Sequence, residues 1–116
     1  MSDPLIQLRD ALRAFAVERD WEQFHSPRNL ATALAVEAAE LLEPFQWLND
    51  EQGANLSPET RAAVEQEMAD VLLYLVRLAD KLDVDLAAAA RAKIVKNGEK
   101  CPVERARGSG RKYDEL

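Results

Sequence analysis

Cysteine is almost absent from these 116 residues: Cys101 stands alone. One thiol makes no internal disulfide and no cysteine-built zinc site, and a chain without disulfides suits a reducing compartment. Histidine is equally scarce, His25 being the sole example. No apolar run approaches the roughly 18 residues that a membrane span requires. The opening MSDPLIQLRD has neither the basic start nor the apolar middle of a signal peptide. These absences lead us to expect a cytoplasmic protein without membrane contact. Positive charge is also short, with a net charge of −6, which argues against binding a nucleic-acid polymer through its phosphates. Finally, no stretch alternates with period two for long enough to make a strand, and there is no repeat or low-complexity segment.

What is present is a soluble, helix-forming composition, 47% hydrophobic and 31% charged. The length suits one domain over 1–116, with an irregular basic tail from about 98. The same punctuation recurs: a capping residue followed by proline in the first helical turn. Ser2 or Asp3 before Pro4 opens a helix over about 4–20 carrying Leu5, Leu8, Leu12 and Phe15. Ser26-Pro27 opens a second, which Pro44 stops, and Ser57-Pro58 opens the longest, about 58–83, with the stripe Val64, Met68, Val71, Leu75, Leu78 and Leu82. Asp85 caps a fourth, alanine-rich helix over 86–97, with Gly98 as its terminator. The polar stretch 49–57 reads as a connector. The expected class is all-α, an antiparallel helical bundle of about four helices. Its alanine-rich core is thin enough that association into an oligomer is expected.

Carboxylates fall where that bundle should be apolar. Glu37 and Glu40, three apart and therefore neighbours on one face, interrupt the stripe of Leu30, Leu34 and Leu41. Glu67 and Asp70 repeat the spacing beside Val64, Met68, Val71 and Leu75, and Tyr74 continues the row. Either pair alone reads more readily as surface charge on a helix flank. Two facing pairs of like charge, however, are costly without a cation between them. Oxygen-only donors select a hard cation, Mg2+ or Mn2+ in its place. A di-iron bundle would normally add histidines in a Glu-x-x-His motif from each of two helices, and His25 is the only histidine in this sequence.

Two further groups accompany the carboxylates. Trp21, Gln23, Phe24 and His25 crowd the link between the first two helices, either plugging the end of the bundle or walling a pocket in which a base stacks and its edge is read. Trp47, just past Pro44, offers another wall. Charge is unevenly spread, with 7 basic and 17 acidic residues over 1–90 but 8 and 4 over 91–116. Lys93, Lys96, Asn97 and Lys100 therefore either complement a helix C-terminus or meet phosphates.

Taken together, Glu37-x-x-Glu40 and Glu67-x-x-Asp70 with 26 residues between them, ERDWEQFHSPRNL (18–30), PFQW (44–47), DVLLYLVRLA (70–79) and the closing RKYDEL are similar to one family over nearly the whole chain. The sequence resembles the MazG-like all-α nucleoside triphosphate pyrophosphohydrolases, in their dCTP pyrophosphatase branch. The resemblance implies a homodimeric or homotetrameric helical bundle that hydrolyses a (deoxy)nucleoside triphosphate to the monophosphate and pyrophosphate. It implies that Glu37, Glu40, Glu67 and Asp70 hold Mg2+ and carry catalysis. Trp21, Gln23, His25, Trp47 and Tyr74 would then correspond to the base and sugar pocket, and Lys93, Asn97 and Lys100 to contacts with the triphosphate. Two departures bear on substrate preference: Cys101 stands before Pro102 where relatives carry an aromatic residue, and the first helix lacks a histidine that some relatives have. The rival readings are a helical module that binds or senses a nucleotide without hydrolysing it, and an interaction protein whose acidic pairs form intersubunit salt bridges.

Overall fold

The computed structural model describes residues 3–112 and residue 114. Ser2, offered above as an alternative cap, lies outside the described residues, as do Tyr113, Glu115 and Leu116 of the closing motif. Among the described residues six α-helices follow one another: α1 (Pro4–Glu18), α2 (Pro27–Leu42), α3 (Asp50–Ala54), α4 (Pro58–Lys81), α5 (Leu86–Lys100) and α6 (Val103–Ala106). A 3-10 turn, Glu22–Phe24, lies between α1 and α2. There is no strand among the described residues, so the all-α expectation holds.

Side-chain caps start the four long helices where the sequence puts them. The Asp3 carboxylate accepts from the Leu5 N–H (2.9 Å) and Ser26 Oγ from that of Asn29 (3.1 Å). Ser57 Oγ accepts from Thr60 N–H (3.2 Å) and the Asp85 carboxylate from Ala88 N–H (3.0 Å). Each bond satisfies one of the amides that a helix N-terminus otherwise leaves unpaired.

The helix ends differ from expectation for identifiable reasons. α1 and α4 stop at Glu18 and Lys81 because Asp20 (φ 53°) and Asp83 (φ 55°) turn left-handed. In each case the chain reverses through the same paired bonds: Trp21 N–H to Ala16 O (2.9 Å) with Asp20 N–H to Val17 O (3.1 Å), and Val84 N–H to Ala79 O (2.8 Å) with Asp83 N–H to Asp80 O (3.2 Å). This is the Schellman closure, with aspartate in the place glycine commonly takes. Gly98 does not end α5, which runs on to Lys100 and stops before Pro102. An interior glycine costs only about 1 kcal/mol, whereas proline excludes the helical conformation of the residue before it. The connector at 49–57 contains α3, closed by reciprocal bonds between Asn49 and Gln52 (2.8 and 3.0 Å). The tail likewise contains the single turn α6.

α4 is the spine, packed against α2 and α1. α2 and α4 run antiparallel: His25, just before α2, meets Arg77 late in α4, whereas Glu37, further along α2, meets Glu67 early in α4. The buried apolar residues are Ala16, Leu30, Val64, Val76 and Ala79. The stripe assigned to α4 is thus rotated, with Met68 and Leu82 more than half exposed and Val76 and Ala79 inside. The chain divides into a unit ending at Val84 and a second beginning at Asp85. In the second, α5 exposes Ile94 and Val95 along with its basic residues. No described helix is long and apolar enough to cross a membrane.

Candidate metal and nucleotide site

The antiparallel pairing of α2 and α4 brings the two acidic motifs together. Carboxylate oxygens from Glu37, Glu67 and Asp70 all lie within 4.8 Å of one another, and all three residues are half-buried. Opposite ligands of an octahedral Mg2+ stand roughly 4.2 Å apart, twice its bond length of about 2.1 Å. The cluster is therefore near the size at which one small ion is shared. Glu37 Oε2 and Glu67 Oε2 are shielded from solvent and have no hydrogen-bond partner among the described residues. Such orphaned anionic oxygens are costly unless a cation compensates them. The donor set is all oxygen, which fits a hard divalent ion.

The electrostatics tell the same story. Glu37 is held above the ordinary glutamate value, chiefly because the neighbouring Glu67 carboxylate hydrogen-bonds only to its protonated form, and then because of burial. Glu40 stands outside the three-carboxylate cluster but beside Glu37, whose hydrogen bond and negative charge push its titration upward as well. A bound cation would reverse both effects.

A cavity of about 160 Å3 adjoins this cluster, lined by Leu12, Phe15, Ala16, Trp21, His25, Asp70, Leu73, Tyr74 and Arg77. Asp70 belongs to both the acidic cluster and the cavity wall. A cavity of about 150 Å3 holds benzene, so this one has room for a single six-membered ring. The Schellman turn after α1 helps build it, because the Trp21 amide is tied to Ala16 O. Trp21 then meets Phe15 and His25 edge-on, with centroids 5.6 and 6.2 Å away.

Of the expected pocket residues, Trp21, His25 and Tyr74 come together with Asp70. Gln23 is turned aside, its amide donating to Asp20 O and to the Asp20 carboxylate at 3.1 Å each. Trp47 is 86% exposed in the turns after α2. Lys93, Asn97 and Lys100 are exposed on α5, in the second unit.

One group escaped the sequence reading. Arg77 is only 4% exposed, and all three guanidinium nitrogens are engaged. Nε donates to His25 Nδ1 (3.1 Å), Nη1 to Asp80 (3.0 Å) and Nη2 to Glu22. Glu22 also accepts from Lys81, and Asp80 from Arg13 Nε (3.1 Å). Lys81 and Arg77 hold Glu22 below the ordinary glutamate range, and the hydrogen bond from Arg13 does the same for Asp80. The available signal was a lone arginine inside the apolar run LLYLVRLA, where a charge has to find partners or lose them.

A helical protein that turns carboxylates of two helices toward one another beside a ring-sized cavity is, by class, an all-α protein with an acidic cluster that could hold a metal ion. The MazG-like family model matches residues 32–116. The chain is 47% identical to bovine dCTP pyrophosphatase 1 over 99% of its length and 70% of that protein's. It is 53% identical to human dCTP pyrophosphatase 1 over 88% of its length, spanning 61% of the human protein. A solved pyrophosphatase from Archaeoglobus fulgidus superposes with a TM-score of 0.82 at 37% identity, covering 88% of this chain and 95% of that one. The chain belongs to the MazG-like family.

Proposed function

We propose that this protein is a nucleoside triphosphate pyrophosphohydrolase that cleaves dCTP, or a modified dCTP, to the monophosphate and pyrophosphate with Mg2+ or Mn2+. The observation that carries the reading is Asp70, shared between the acidic cluster and the ring-sized cavity. A substrate with an aromatic base and a metal-bound polyphosphate requires that adjacency. The names of the bovine and human relatives favour dCTP, and a cavity for one ring suits a pyrimidine better than a purine.

In this reading Glu37, Glu67 and Asp70 hold the metal, with Glu40 completing the set. When bound, the metal neutralises phosphate oxygens and lowers the pKa of the attacking water. A carboxylate of the quartet left free by the metal accepts that water's proton. Trp21 and Tyr74 enclose the base beside His25, and Gln23 and Trp47 are assigned to the same base and sugar pocket. Lys93, Asn97 and Lys100 are assigned to the triphosphate.

We also infer a homodimer or homotetramer. Phe15, Trp21, Val36, Met68 and Leu72 are all substantially exposed in the single chain, and two of the five buried apolar residues among those described are alanines. Covering those side chains would supply burial that the thin core lacks. Light scattering at micromolar concentration is expected to give a multiple of 13.0 kDa; a monomeric mass contradicts it. The activity itself is tested by product analysis with Mg2+. dCMP and pyrophosphate are expected, whereas intact dCTP bound to the protein would indicate a sensing or sequestering module instead.

A further inference from the structure

Arg77 is a buried cation in the cavity wall, outside the acidic cluster. It belongs to α4, and through the Glu22 and His25 bonds it reaches the link between α1 and α2. Asp80 and Glu22 offset its charge, as a buried guanidinium requires. The bond to His25 is of another kind, because the partner is neutral. Arginine has only donors, so Nδ1 must accept, and the imidazole proton must sit on Nε2. With both carboxylates and His25 engaged, the guanidinium is locked in plane and cannot turn to release Nδ1.

We propose that Arg77 is a positioning residue that holds His25 in the neutral Nε2–H tautomer, so that His25 presents a hydrogen-bond donor, and no acceptor, to a ring bound in the cavity. Resting on the nucleotide reading above, this selects a ring edge bearing acceptors, such as the carbonyl oxygen and unprotonated ring nitrogen of cytosine. A protonated imidazole would place an N–H against Arg77 Nε–H, so the arrangement also excludes the cation. Burial and the Arg77 charge both lower the His25 titration, opposed by Glu22, which agrees with that exclusion. Lys81 adds to the lowering. Arg77 thus acts on ligand choice through His25, while the same cation ties α4 to the preceding link.

The sole histidine makes the state directly readable. Long-range 1H–15N correlation of 15N-labelled, Mg2+-loaded protein at pH 7.5 without nucleotide is expected to show one species, with Nε2 protonated and Nδ1 bare. An Nδ1–H tautomer, an imidazolium or an averaged mixture overturns the proposal. In Arg77→Met, which keeps an apolar stem and leaves Glu22 to Lys81 and Asp80 to Arg13, the signals are expected to average between tautomers. KM for dCTP should then rise about two- to threefold, the inverse of the fraction of His25 left in the Nε2–H form, with kcat unchanged. An unchanged tautomer in Arg77→Met, or a fall in kcat at constant KM, contradicts the positioning role. Should Arg77→Met not fold, the partly exposed His25 supplies the second test. His25→Gln, whose amide carries a donor at the reach of Nε2, is expected to keep KM within a few-fold, and His25→Phe to raise it about tenfold. Equal KM values for those two variants overturn the donor role. The tautomer is measured without substrate, so a protein that hydrolyses no dCTP would remove the proposed function and leave the Arg77–His25 result to be judged on its own.

Discussion

Glu37 interrupts the apolar stripe of α2, with one oxygen buried and unpartnered beside Glu67. Its raised titration fixes the sign of a stability effect. In the metal-free fold Glu37 binds a proton more readily than in the unfolded chain, so stability falls as pH rises from the unfolded value, about 4.5, through the higher folded one. Glu37→Gln removes that repulsion. Thermal unfolding in EDTA at pH 7.5 is expected to give a higher Tm for Glu37→Gln than for wild type, with the difference vanishing near pH 4. Activity should move the opposite way. Losing a residue that only orients a metal ligand costs about 10–100-fold, so losing the ligand itself should cost on the order of 100-fold or more in kcat/KM. Asp80 shows the opposite linkage. Arg13 holds it below its ordinary value, so its contribution is present above the unfolded pKa, about 3.8, and lost as pH falls through the folded one. Asp80→Asn leaves Arg77 short of an anion and is expected to cost roughly 3 kcal/mol at pH 7 by denaturant unfolding. The gap to wild type should narrow once pH falls below 3.8 and close as it passes the lower folded pKa of Asp80.

At the scale of the element, caps and reversals determine what α1, α2 and α4 present to the site. Asp83 holds a left-handed conformation that strains a Cβ-bearing residue, and no side-chain bond of Asp83 compensates among those described. Asp83→Gly is therefore expected to stabilise by up to about 1 kcal/mol, read as a rise in Tm. Ser57→Ala removes the α4 cap and should cost about 1 kcal/mol. The starts of the four long helices were legible because Asp3, Ser26, Ser57 and Asp85 are local signals, each satisfied within three residues. The ends were less so. An aspartate at a left-handed position has no distinctive mark in sequence, and Gly98 carries a breaker's reputation that its small energetic cost does not support. The rotation of the α4 stripe was hidden for a related reason. Val76, Ala79 and Arg77 face inward because of what α1 and the 22–25 link place against them, and a helical wheel contains none of that.

For the molecule as a whole, the acidic cluster was legible and the ion network was not. Two motifs at the same three-residue spacing on two helices can be read without knowing how the helices pair, and their antiparallel packing then brings Glu37, Glu67 and Asp70 together. Arg77, Glu22, Asp80 and Arg13 come from segments up to 67 positions apart, and only the fold joins them. The central claim is that those carboxylates and the adjoining cavity make one metal-dependent catalytic site for a pyrimidine nucleoside triphosphate. Pyrophosphate release from each common dNTP, measured for wild type and Glu37→Gln with Mg2+ and with EDTA, tests it most directly. Release is expected from wild type with Mg2+, greatest for dCTP, abolished by EDTA and reduced on the order of 100-fold or more by Glu37→Gln. Release that persists in EDTA, or a fully active Glu37→Gln, would contradict it.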